Sequence, residues 1–212
     1  LLAVVLVGVL PAEPRQPTHW ERQIGEFEKQ DRQRMPPKQG IVFIGSSTIK
    51  GWTLDENFAD LPVIGRGFGG SQMSDSVYYA DRIVLPYEPR IVVLYEGDND
   101  LAAGKTPQQV ADDYRRFVKI VHDALPKTRI LFLAIKPSIK RWHLIDKIRQ
   151  ANKLVHEQTE KDPLQVYIDT DKPMLGDDGK PRPELFRSDG LHMSKAGYKL
   201  WADLLRPHFK LD

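Results

Sequence analysis

Five short β-rich runs, at Ile41–Ile44, Leu61–Ile64, Ile91–Tyr95, Ile130–Ile135 and Val166–Ile168, recur along the chain with helical stretches between them. Runs of this length that stay apolar at successive positions need cover on both faces. Strands that alternate with helices leave few arrangements open. The pattern predicts one α/β domain, a three-layer α/β/α sandwich on a mostly parallel sheet of about five strands.

The helix signals agree. In "TPQQ", Thr106 is placed as N-cap, Pro107 falls in the first turn and Gln109 closes a capping box. Val110, Tyr114, Phe117, Val118, Val121 and Leu125 then follow helical spacing. Further helices are expected near Trp20–Arg34, ended by Pro36 and Pro37, near Ser74–Val84, over Trp142–Glu160, and from Ser194 through Leu200, Leu204 and Leu205.

The first residues stand apart. "LLAVVLVGVLPAEP" is an apolar run followed by Pro11 and Ala12, similar to the core of a secretory leader and its exit. As it stands it is too short to span a bilayer. Residues 1–17 are therefore read as leader plus the Pro-rich linker "AEPRQP", and residues 18–212 as the single domain. The expectation is an exported protein, periplasmic or secreted, with no stable membrane span in the mature chain. A retained N-terminal anchor is the alternative. Cysteine is absent, so a disulfide framework, a catalytic thiol and a lipid-modified Cys are excluded. The 31 Lys and Arg are scattered among 29 Asp and Glu, for a net charge of +2. That distribution offers no basic face to nucleic acid.

In a parallel sheet of this kind the ligand crevice lies beyond the carboxyl ends of the strands. The residues just after each run are thus the informative ones. Gly45-Ser46-Ser47 follows the first. Such a turn can lift a serine hydroxyl to the tip of the sheet beside backbone N–H groups, or can simply cap the next helix. The G-x-S-x-G pattern is absent. Among six histidines, His122 and His156 fall inside expected helices, and His19, His143 and His208 lack a carboxylate in an adjoining turn. His192 differs. In "SDGLH", Asp189 stands three residues before it, where a carboxylate can accept the Nδ1–H and leave Nε2 toward a serine. An Asp-Gly turn ahead of a helix capped by Ser194 is the plainer alternative. No second His or Cys stands at zinc-ligand spacing, so no metal is expected.

Three further loops carry chemistry-bearing residues. "EGDND" holds Asp98, Asn99 and Asp100, of which only the Asn99 amide can donate a hydrogen bond to an oxyanion. Gly65, Gly67 and Gly70 of "GRGFGG" satisfy G-x-G-x-x-G, so a dinucleotide-binding domain is a rival reading. The other use of such glycines is to bring a bare backbone N–H close to a reacting group. "KPSIKRW", with Lys136, Arg141 and Trp142, follows the fourth run. Surface packing is its expected role, and a border of the pocket the alternative.

Taken in order, "FIGSST", "GRGFGG", "GDND" and "DGLH" resemble blocks I, II, III and V of the SGNH hydrolases, the GDSL-type lipases and esterases. The blocks run from about residue 41 to 200. The resemblance implies a flavodoxin-like SGNH hydrolase fold. It also implies a serine esterase with Ser47 as nucleophile and Asp189 and His192 completing a triad. Ser47, Gly70 and Asn99 would form the oxyanion hole, and no cofactor would be required. Two departures stand out: Ser46 where the motif has Asp, and Gly65 where block II often has Asn. They keep open an inactive exported binding module of the same fold. The implied substrate is a small-molecule or carbohydrate ester with a short acyl or acetyl group. Longer acyl chains and thioesters stay open.

Overall fold

Five strands pair side by side, all parallel, in the order β2-β1-β3-β4-β5. They are β1 (Ile41–Gly45), β2 (Val63–Gly67), β3 (Ile91–Tyr95), β4 (Arg129–Leu133) and β5 (Gln165–Ile168). The helices are α1 (Glu21–Gln33), α2 (Ser47–Lys50), α3 (Leu54–Phe58), α4 (Met73–Ile83), α5 (Asp98–Ala102), α6 (Pro107–Ala124), α7 (Ile145–Thr159) and α8 (Lys195–Leu205). The computed structural model describes residues 17–210, so the leader and the linker up to residue 16 lie outside the described residues. The expected α/β/α sandwich is the observed architecture, and its strand order is the flavodoxin-like one.

Two cores follow from the period of two along each strand. Val42, Ile44, Val92, Leu94, Ile130 and Phe132 pack under α1, α4, α6 and α7. Ile41, Phe43, Val93, Tyr95, Leu131 and Leu133 pack under α3, α8 and Trp52 on the other face. All of these strand residues are fully buried. Cutting one of their large side chains back to Ala costs about 2–5 kcal/mol. At α6 the Thr106–Gln109 capping box forms in both directions.

Among the element boundaries that differ from the sequence expectation, three have a local reason. The second strand begins at Val63, not Leu61, and takes in Gly65 and Gly67. It pairs with β1 alone, residue for residue from Ile41↔Val63 to Gly45↔Gly67, so backbone pairing sets its length. The fourth strand ends at Leu133 because the Asn152 side chain takes over the next ladder positions. Its Oδ1 accepts from the Ile135 N–H at 2.8 Å and its Nδ2 donates to the Ile135 carbonyl at 3.0 Å. Trp142–Leu144 form a 3-10 turn ahead of α7 rather than its first turn.

The strand order reverses between β1 and β3. A crevice opens there at the carboxyl ends, and the segments leaving β1 and β3 are Ser46-Ser47 and Glu96–Asn99.

Candidate active site

Gly45 ends β1 with φ +150°, and a Cβ on it would lie 2.1 Å from the Tyr95 carbonyl oxygen. Only glycine allows β1 to run this close to β3 and turn at once into α2. The turn leaves Ser46 buried, its hydroxyl without a hydrogen-bond partner, and Ser47 half-exposed at the first position of α2.

Ser47 Oγ lies 3.2 Å from His192 Nε2, across 145 residues of chain. His192 Nδ1 lies 2.5 Å from Asp189 Oδ2. The other Asp189 oxygen accepts the N–H groups of Leu191 and His192, both at 2.9 Å. The spacing of three is therefore realised by a tight turn about Gly190, φ +65°, and not by a helix. The bond to His192, reinforced by the two backbone donors, holds the Asp189 carboxyl far below the usual carboxylate range. A carboxylate fixed in this way settles the imidazole tautomer, with the proton on Nδ1 and a lone pair on Nε2 facing the serine.

The glycine loop after β2 lies over the same serine: a Cβ on Gly69 would sit 3.9 Å from Ser47 Cβ. Gly70 follows with φ +81°. Among the described residues, the backbone N–H groups of Ser47 and Gly70 have no protein acceptor. Asn99 Nδ2 donates to the Ser71 carbonyl at 2.9 Å, which binds the loop after β3 to the glycine loop and leaves one amide hydrogen for another acceptor. The structure thus gathers Ser47, Gly70, Asn99, Asp189 and His192 at one rim of the sheet.

The dinucleotide reading does not fit this geometry. Gly65 and Gly67 lie within β2, and a Cβ on Gly67 would come 2.1 Å from the Lys50 backbone nitrogen. The bare face of Gly67 is taken up by the crossing of α2, so it has no room to cradle a phosphate.

The expectation of surface packing for "KPSIKRW" is overturned. Lys136 is 1% exposed and donates to Tyr95 Oη at 2.8 Å, Asp98 Oδ2 at 3.0 Å and Thr48 Oγ1 at 3.1 Å. Arg141 Nη2 donates to Asn99 Oδ1 at 2.9 Å, and its Nη1 lies 3.0 Å from Asp98 Oδ2. Burial works to raise the Asp98 carboxyl, but Lys136 and Arg141 outweigh it and the net shift is downward. Trp142 lies outside this group, its ring flanked by Lys180 and Arg149. The reason for the reversal is a paired carboxylate, which makes the burial of two cations tolerable. No local pattern in the sequence announces a partner 38 residues away.

Sequence reasoning also missed two supporting groups. Glu96 is fully buried, with Oε1 accepting from the hydroxyls of Ser71 at 2.6 Å and Ser76 at 3.0 Å. Burial, with Asp100 nearby, lifts its carboxyl well above the ordinary range, and Oε2 has no hydrogen-bond partner. On the outer side, Trp20 Nε1 and Gln23 Nε2 donate to the carbonyls of Gly69 and Gly67, each at 3.0 Å. Both come from the N-terminal helical region.

With this geometry in view, the sequence comparison is decisive. The model of the GDSL-like lipase/acylhydrolase family matches residues 43–200, well over half of the chain. The chain belongs to that family. The SGNH assignment and its α/β/α fold stand together, and hydrolysis of acyl esters is the general chemistry of the family. No curated protein matches the sequence. Among solved structures, a Streptococcus pneumonia protein provisionally described as a platelet activating factor superposes with a TM-score of 0.80 at 20% identity, covering 91% of this chain and 94% of that one. A GDSL-like lipase from Bacteroides thetaiotaomicron gives 0.74 at 19% identity, with 87% and 96% covered. A catalytic variant of an acetylxylan esterase from Geobacillus stearothermophilus gives 0.65 at 16% identity, with 82% and 96% covered. At these identities the likeness is one of fold.

Proposed function

We propose that the protein is a serine esterase that works through an acyl-enzyme on Ser47. The supporting observation is the unbroken chain from Ser47 Oγ to His192 Nε2, and from His192 Nδ1 to Asp189. His192 takes the serine proton as Oγ attacks the ester carbonyl carbon, and Asp189 steadies the imidazolium that results. The carbonyl oxygen, now an oxyanion, is met by the N–H groups of Ser47 and Gly70 and the free Asn99 amide hydrogen. When the tetrahedral adduct collapses, His192 gives its proton to the departing alkoxide. Water then enters, His192 accepts a proton from it, and the acid is released with Ser47 restored. Every proton is passed among groups of this chain, the substrate and water.

A fluorophosphonate probe followed by peptide mapping tests the assignment. Labelling confined to Ser47 and abolished in His192→Ala is expected. Stoichiometric labelling elsewhere, or none in the folded protein, would refute it.

The substrate we infer carries a short acyl group on a polar alcohol. The clefts that include residues of the His192 turn are small, at about 320 Å³ beside Gly51, Arg187 and Ser194, and about 460 Å³ beside Lys140, Arg187 and Asp189. Both mix apolar surface with charged side chains, Arg187 among them in each, and those charged groups suit a polar alcohol part. An acetylxylan esterase stands among the proteins of like fold, in agreement with an acetylated carbohydrate as substrate. Acetyl, butyryl and decanoyl esters, measured with Ser47→Ala as blank, should give kcat/KM falling in that order; a maximum at decanoyl would overturn the inference. The apolar run at residues 1–10 supports export, to be checked by N-terminal sequencing of protein recovered outside the cytoplasm.

A further inference from the structure

Of the four pieces of chain that form the site described above, three meet one further segment: the turn after β1, the loop after β3 and the turn carrying Asp189 and His192. The segment between β4 and α7 touches all three. Lys136 donates to Thr48, the residue after Ser47, and to Asp98, the residue before Asn99. The Lys140 N–H donates at 3.0 Å to the carbonyl of Gly190, which lies between Asp189 and His192. Arg141 reaches Asn99 itself, as well as Asp98.

We propose that Arg141 is a positioning residue that fixes the Asn99 carboxamide with Nδ2 toward the oxyanion, an inference resting on the reading of Asn99 as an oxyanion donor. The two ends of a carboxamide have nearly the same shape and differ only in hydrogen bonding. Left alone, the group can turn over and present oxygen where a donor is needed. Here the guanidinium, which only donates, meets Oδ1, while the Ser71 carbonyl, which only accepts, meets Nδ2. Turning the amide over would set donor against donor and acceptor against acceptor. One conformation survives.

Asp98 makes this hold firm. It is 4% exposed, and the carboxylate oxygen that faces Arg141 is also bound by Lys136, so the guanidinium cannot swing away without leaving that carboxylate. Arg141 donates to Asn99 through Nη2, while its Nη1 stands 3.0 Å from Asp98 Oδ2 as an ion pair without hydrogen-bond alignment. A lysine at the position would bring a single nitrogen on a flexible stem and could not hold both in the same geometry.

The test compares wild type, Arg141→Lys, Arg141→Met, Asn99→Ala and the double variant Asn99→Ala/Arg141→Lys, with p-nitrophenyl acetate as substrate. Arg141→Lys keeps a cation beside Asp98, so it remains informative where Arg141→Met fails to fold. Expected is a kcat lowered roughly tenfold or more in Arg141→Lys, with KM within about twofold, because an oxyanion donor acts on the transition state. The double variant should be no slower than Asn99→Ala alone. An unchanged kcat, a change confined to KM, or an equal loss in the Asn99→Ala background would overturn the proposal.

A second readout needs no turnover. The side-chain NH₂ resonances of Asn99, identified by their absence in Asn99→Ala, should shift in Arg141→Lys. Resonances that do not move defeat the proposal even if no ester is cleaved. Resonances that do move, in a protein lacking Ser47-dependent turnover, sustain it and defeat the esterase reading alone.

Discussion

Asp189 and His192 stand three residues apart on an exposed turn, whereas Asn99 is held by Ser71 and Arg141, 28 and 42 positions away along the chain. The side chains of the first pair are 40% and 35% exposed; those of Asp98 and Lys136, which support the second arrangement, are 6% and 1%. One arm of the site is thus made locally and bathed in water. The other is made at long range, and Asp98 and Lys136, which brace it, are almost closed to water. Solvent relieves an unpaired charge, so the exposed turn can lose a member without unfolding. An unpaired charge in the buried layer has no such relief. Catalysis and stability should therefore separate in the first arm and be coupled in the second.

The largest expected effect falls on rate alone. His192→Ala should lower kcat on the order of 10⁴- to 10⁶-fold, while its unfolding free energy stays within about 0.5 kcal/mol of wild type. A matching loss of stability, seen by denaturant unfolding, would break the contrast at its exposed side.

Next comes Asp98→Ala, which strands the buried Lys136 and the partly buried Arg141 and should destabilise by about 3–5 kcal/mol in the same measurement. Little change would show that water reaches Lys136 and Arg141 after all. Asn99→Ala follows, with kcat reduced by roughly 10²- to 10³-fold through loss of one oxyanion donor. It carries no charge, so its stability cost should be smaller than that of Asp98→Ala.

The smallest effect concerns pH. Unfolding lets Glu96 ionise above the ordinary glutamate value of 4.5, whereas burial keeps it protonated in the fold to a much higher pH. The folded chain binds the extra proton in that window. Its contribution to stability is full below 4.5 and is lost as pH rises toward the folded value. Glu96→Gln, uncharged and nearly isosteric, should flatten this decline and gain relative stability on the alkaline side. Parallel pH–stability curves for the two proteins would show that Glu96 is ionised in the fold.

The same contrast explains what could be read from residues in order. The sheet was legible because each strand carries its own apolar run, and the α6 start because Thr106 and Gln109 lie within one turn. The approach of Asp189 to His192 was legible for the same reason, since both sit in "SDGLH". Asp98, Lys136 and Arg141 were not, because each appears in sequence as an ordinary surface charge and only the fold makes them neighbours. The family pattern supplied Asn99 and Gly70 but did not extend to what holds Asn99 in place. The boundary of β2 escaped because Gly65 and Gly67 suggest a turn, whereas Gly67 is required within the strand by the crossing of α2.

The indole of Trp20 and the amide of Gln23 lie 23 and 20 positions ahead of residue 43, where the family match begins, yet both grip the ribbon that carries Gly70. A chain trimmed to the matching stretch would keep each reacting side chain and still release the ribbon from one flank. The unit that supports the proposed site therefore starts earlier than the hallmark residues suggest, and an expression boundary belongs ahead of Trp20.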